Sequence, residues 1–172
     1  MTDTITPSPN GGAEGQDQQS GPRLSILTQY VKDMSFENPR APFGLQANQG
    51  RPEIQIQVDV NARQIGDGQF EVSLELSCEA KTPEASVFLL ELTYGGVFAL
   101  ANIPADSLQP LLLIECPRLL FPFARRIVSD ATRDGGFPPL MIDPIDFVAL
   151  YRRRLESQQQ EGGGQEAETT QA

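Results

Sequence analysis

Through the middle of the chain, apolar residues fall on every second position, then on every third or fourth. In EIQIQVDVNARQI the apolar positions are Ile54, Ile56, Val58 and Val60, with Gln55, Gln57 and Asp59 between them. FEVSLELSCEA alternates in the same way, with Phe70, Val72, Leu74, Leu76, Cys78 and Ala80 against Glu71, Ser73, Glu75, Ser77 and Glu79. A period of two marks a strand with one face buried and one wet. SVFLLELTYGGVF and the earlier LSILTQYVKDMSF (Leu24 to Phe36) complete a set of four strands. GDG at Gly66 to Gly68 and the KTPE segment read as turns. Short links between amphipathic strands predict an antiparallel sheet.

From about residue 105 the period lengthens. ADSLQPLLLIE predicts a short helical segment, with Asp106 or Ser107 as N-cap. A long helix follows to about Asp134, where Gly135-Gly136 stop it. Pro117 and Pro122 are expected to interrupt or kink its path, since each lacks a donor and crowds the preceding turn. PIDFVALYRRRLE predicts a shorter final helix. The expected fold is therefore α+β: a four-stranded antiparallel sheet with a kinked long helix and a shorter C-terminal helix packed on one face. Residues 1–22 and 157–172 are rich in Pro, Gly, Ser, Gln and Glu without apolar periodicity, and are expected to be disordered. The folded domain is expected to span 23–156.

Two faces carry more apolar surface than this fold requires. Around the long helix, Leu120, Ala124, Ile127, Val128 and Ala131 form a stripe, with Phe121 to one side and Leu119 and Phe123 to the other. The apolar arc is roughly 200°, wider than one packing surface needs. It calls for a second cover: the final helix folding back, a second subunit or an apolar ligand. The loop GGFPPLMIDPIDF adds Phe137, Leu140, Met141, Ile142 and Phe147, as core plugs or as the lining of an apolar groove. On the fourth strand, parity sends Leu89 and Glu91 outward to a face shared with Glu71, Glu75 and Glu79, and with Asp33 and Glu37 of the first. That face reads either as ordinary solubilising charge or as an acidic docking surface with a hydrophobic centre.

Composition narrows the chemistry. The 172 residues contain 23 Asp and Glu against 13 Lys and Arg, a net charge of −10, which argues against nucleic-acid binding. The absence of histidine removes His-based acid–base and nucleophilic catalysis and most zinc sites. The two cysteines, Cys78 and Cys116, lack C-x-x-C spacing and read as a reduced intracellular pair. No apolar run approaches the roughly 20 residues of a membrane span, and the N-terminus lacks the form of a secretory signal. The expected protein is cytoplasmic, not an enzyme, and without cofactor or metal.

Four separated runs, YVKDMSFENP, LTYGGVFAL, ECPRLLFPFARRIVSDATRDGGFPPL and DPIDFVALY, resemble the bacterial protein-export chaperone family SecB, over about Leu24 to Glu156. The resemblance implies a homotetramer, a dimer of dimers, that binds unfolded precursor proteins and delivers them to the translocase motor ATPase SecA. It places motor docking on Asp33, Glu37, Leu89 and Glu91. It implies a client groove at Ile54, Ile56, Val58, Phe137, Leu140, Phe147 and Leu150. Subunit contacts fall on Leu120, Phe123, Ala124, Ile127, Val128 and Ala131, the arc described above. Phe123 stands where the family commonly has tyrosine, and Val148 where an acid is common. A chaperone of this kind dedicated to one partner, such as an antitoxin, is the alternative.

Overall fold

The computed structural model describes residues 21–43 and 51–163. Of the expected tails, 1–22 and 157–172, residues 1–20 and 164–172 lie outside the described residues. Four strands, β1 (Arg23–Glu37), β2 (Glu53–Gly66), β3 (Gln69–Lys81) and β4 (Ser86–Ala101), form one antiparallel sheet in the order β1-β4-β3-β2. β2, β3 and β4 are joined by hairpins, and β1 lies beside β4, a Greek-key arrangement that leaves β1 and β2 as edges. The period-two pattern explains the burial. Val72, Leu74, Leu76 and Cys78 of β3 and Leu90 and Leu92 of β4 turn to one face and are buried there. Helices cover that inner face, and no described element covers the outer one.

The helical half departs from expectation at its start and middle. α1 (Ala105–Pro110) begins after Pro104, with no side-chain cap from Asp106 or Ser107. Asp106 sits instead in the first turn, where its charge favours the positive end of the helix. Of the interruption or kink expected at Pro117 and Pro122, no interruption occurs: a π-helical segment, Leu111–Glu115, runs directly into α2 (Cys116–Asp134). Backbone angles stay in the right-handed helical region at both junctions. Cys116 N–H bonds Leu111 O, five residues back, so the widened turn carries the helical path up to Pro117. Prolines at 110, 117 and 122 therefore sit within one joined helical run.

α2 ends as expected, in a Schellman motif. Gly136 takes φ 89°, its N–H bonds Arg133 O at 3.0 Å, and Phe137 N–H bonds Thr132 O at 3.1 Å. The following segment returns to the core: Phe147 is 1% exposed and meets Phe121 edge-on, with ring centroids 6.2 Å apart. α3 (Phe147–Gly163) runs seven residues past the expected boundary at 156. It is pinned to the edge of the sheet by Arg154, whose Nη1 donates to Val60 O at 2.6 Å.

Candidate interaction surfaces

The outer face of the sheet is built by strand register. Glu37 lies directly opposite Leu89, Ser35 opposite Glu91, and Asp33 opposite Thr93. Asp33, Glu37, Leu89 and Glu91 thus share one face across two neighbouring strands. Leu89 is half-buried; the three acids are exposed. Asp33 and Glu91 line a shallow depression with Gln57, Asp59, Glu75, Ser77 and Thr93. Glu79 on the same face is paired with Lys81 at 2.8 Å.

Glu71 departs from its expected place among these free charges. It is 5% exposed, and three donors converge on it: Tyr30 Oη, Arg63 Nε, and Lys32 Nζ at 3.1 and 3.2 Å. The hydrogen bond from Tyr30, then that from Arg63, hold its carboxyl down at about 2, so it stays ionised through the neutral and mildly acidic range. The Tyr30 hydroxyl moves up in turn, because its proton is held by Glu71. Alternation alone does not reveal this cluster, since it depends on two bulges in β1.

The inner face divides into two parts. Over β3 and β4 it is closed by Leu120, Ala124 and Val128, each 0% exposed. These three of the six expected subunit contacts are consumed by the chain's own sheet, because they lie at the centre of the buried stripe. On the flank of α2, Phe123 remains 45% and Leu119 41% exposed, while Ile127 and Ala131 are half-buried. Phe123 stacks on Tyr94 of β4 at 6.4 Å. Beside it the inner positions of β1, Ile26, Val31 and Met34, are also exposed.

Along β2, Ile54 and Ile56 are exposed and Val58 is half-buried. At one end of this row, Phe137 and Leu140 pack on a small cluster with Phe88, Ala80 and Phe36; Phe137 and Phe88 lie 5.0 Å apart. At the other end, Leu150 lines a cleft of about 420 Å³ with Val60, Leu113 and Tyr151. Ile54, Ile56 and Val58 thus stand on the β2 edge, Phe137 and Leu140 pack at one end of the inner face against Phe88 and Phe36, and Leu150 lies in the cleft beside Val60. Phe147 does not join them: it is a core residue, buried against Phe121. Leu113 and Tyr151 are the additions that alternation and helical spacing did not single out; Val60, the last apolar position of the β2 alternation, lines the same cleft.

Cys78 and Cys116 are both fully buried; burial pushes Cys78 up to about 11, and burial together with Glu115 pushes Cys116 up to about 12. Among the described residues no group of three or more Cys, Asp or Glu could hold a metal ion, and no helix is long and apolar enough to cross a membrane.

A sheet with one uncovered acidic face, and a helix layer with apolar margins, defines a two-layer α+β domain organised around surfaces. The chain belongs to the SecB family: the family model described as preprotein translocase subunit SecB matches residues 17–159. It is 57% identical over 141 residues to a protein-export protein SecB of Azorhizobium caulinodans, covering 82% of this chain and 88% of the relative. Identity to proteins of the same description is 50% in Rhodopseudomonas palustris (89% and 97% covered) and 50% in Bradyrhizobium diazoefficiens (90% and 96%). A solved SecB-like chaperone of Mycobacterium tuberculosis, in complex with an antitoxin peptide, shares the fold. Its TM-score is 0.60 at 16% identity, with 72% of this chain and 91% of that one covered.

Proposed function

We propose that this chain is a cytosolic protein-export chaperone that holds unfolded precursors along its apolar margin and passes them to the motor ATPase SecA through its outer sheet face. The observation carrying the docking half is that Asp33, Glu37, Leu89 and Glu91 stand together on the one sheet face that no described element covers. A half-buried leucine ringed by carboxylates suits a basic partner. The apolar centre supplies contact energy and the charges supply orientation and encounter rate.

The holding half rests on the β2 margin. From Ile54 to Val60 the row is about 20 Å long at the usual rise per strand residue, the reach of a short extended peptide. β2 is a sheet edge, so backbone donors and acceptors lie beside the apolar side chains. Unfolded chains offer both, and a native protein hides both. Each local contact is weak. Several such margins in one assembly raise the effective concentration of the next segment and make the whole hold firm.

Assembly as a homotetramer, a dimer of dimers, completes the reading. It is supported by the exposed apolar flank Leu119, Phe123, Ile26, Val31 and Met34, which is contiguous with the sheet edge. Sedimentation of the purified protein at micromolar concentration should give a tetramer, or a dimer on dilution. A strict monomer would overturn the assembly.

Leu89→Arg and Glu91→Lys test docking. Each should weaken motor binding by roughly tenfold or more, measured by titration calorimetry, while the hold on an unfolded precursor is unchanged. Normal motor binding by both variants would refute the docking face. Precursors retained from lysate, with and without the motor, then separate a general export chaperone from one dedicated to a single partner. The shared description of the relatives above favours the former.

A further inference from the structure

β1 does not keep its alternation through its length. Register breaks once between Ile26 and Thr28 and again between Val31 and Asp33, each break adding one residue to β1 opposite β4. Between the breaks parity is inverted. Thr28 and Tyr30 therefore point to the outer face and Gln29 and Val31 to the inner one, where Gln29 accepts a bond from the Tyr94 hydroxyl at 3.5 Å. The second bulge, at Lys32, restores the parity that sends Asp33, Ser35 and Glu37 outward. Without it, those residues would turn toward the helices, and Met34 and Phe36 would turn to water.

The Glu71 cluster grips this bulge. Glu71 stands on β3, separated from β1 by the whole of β4. Tyr30, just before the bulge, and Lys32, the inserted residue, both reach it across that strand. The crossing is possible because Gly95 stands between: a Cβ there would lie 2.9 Å from Tyr30 Cε2. Arg63 of β2 closes the cluster from the other side. Lys32, Arg63 and Glu71 also line a depression with Asp33, Glu75 and Thr93, continuous with the docking depression through those last three residues.

We propose that Glu71 is a positioning residue for the motor-docking face, acting as a strap that locks the Lys32 bulge and so holds Asp33 and Glu37 outward. This rests on the docking reading above, but its structural half is testable without it. Glu71→Gln keeps the shape and removes the charge; Tyr30→Phe removes only the crossing hydroxyl. In both, amide hydrogen exchange from Val31 to Ser35 should quicken by roughly tenfold relative to the β2–β3 hairpin. Motor affinity should fall by a similar factor while precursor holding is retained. Asp33→Ala serves as the direct docking variant and should weaken motor binding with exchange unchanged. If Asp33→Ala weakens the motor while Glu71→Gln and Tyr30→Phe leave both exchange and motor affinity at their original values, the strap is wrong and the docking face stands. If the strap variants quicken exchange at the bulge but Asp33→Ala binds the motor normally, the docking face is wrong and the lock on register stands. Exchange that quickens equally throughout the sheet marks a general loss of stability and also overturns the positioning role.

Discussion

Leu120→Ala should lower the stability of the domain by about 3–5 kcal/mol, near the top of the range for such truncations. Leu120 is fully buried, and its Cδ2 would lie only 2.8 Å from a Cβ placed on Gly96. The leucine therefore seats directly on bare β4 backbone, beside the buried ring of Phe98. Backbone in the middle of a four-stranded sheet cannot move up to fill the space, and Gly96 has no side chain to rotate into it. The cavity stays open, and its cost adds to the lost transfer energy. A urea titration should show a lower midpoint with an unchanged slope. A loss below about 1.5 kcal/mol would mean that the helix settles onto the sheet, contrary to the tight approach at Gly96.

Thr132→Val should cost about 1–3 kcal/mol despite nearly equal volume, because a hydroxyl does the work. Thr132 is fully buried near the end of α2. Its Oγ1 lies 3.0 Å from Val128 O, to which it donates, and accepts from Leu140 N–H at 2.9 Å. That second bond fixes the segment after the helix, where Phe137 and Leu140 close one end of the apolar margin. Valine would leave the Leu140 donor without its partner in a poorly hydrated place. Exchange at the Leu140 amide should rise well beyond the global change, and Thr132→Ser should restore its protection. Undiminished protection in the valine variant would show that the aromatic contacts of Phe137 alone hold the segment.

Much of this was legible along the chain. Alternation in 54–60 and 70–80 marks two strands and their apolar faces because a pleated strand has only two sides. Of those faces only the second is buried as a row, from Val72 to Ala80. The Gly135-Gly136 stop was equally clear, since only a residue tolerant of positive φ closes a Schellman motif. The helix start was not. Asp106 and Ser107 are good caps in isolation, but the chain enters the helix from Pro104 and leaves their side chains out of that role. Nor did the prolines break the helix, because a π turn shifted the hydrogen-bonding ring ahead of Pro117.

The placement of Asp33 and Glu37 is more instructive. Counting by twos put them outward, and outward they are, yet the count passes through two bulges whose effects cancel. Tyr30, between those bulges, faces opposite to its parity and becomes the donor to Glu71. The amino-acid sequence alone determined the family, the sheet and helices, and which strand faces are apolar, because these follow from local periodicity and from motifs read in order. Only the tertiary structure decided which apolar residues were left over. Leu120, Ala124, Val128 and Phe147 went to the core, while Leu119, Phe123, Ile54 and Ile56 stayed at the surface. It likewise turned Glu71 from a surface charge into a buried tie. Burial and register depend on what lies across the sheet, and those neighbours are up to 78 residues away along the chain, as Arg23 is from Ala101.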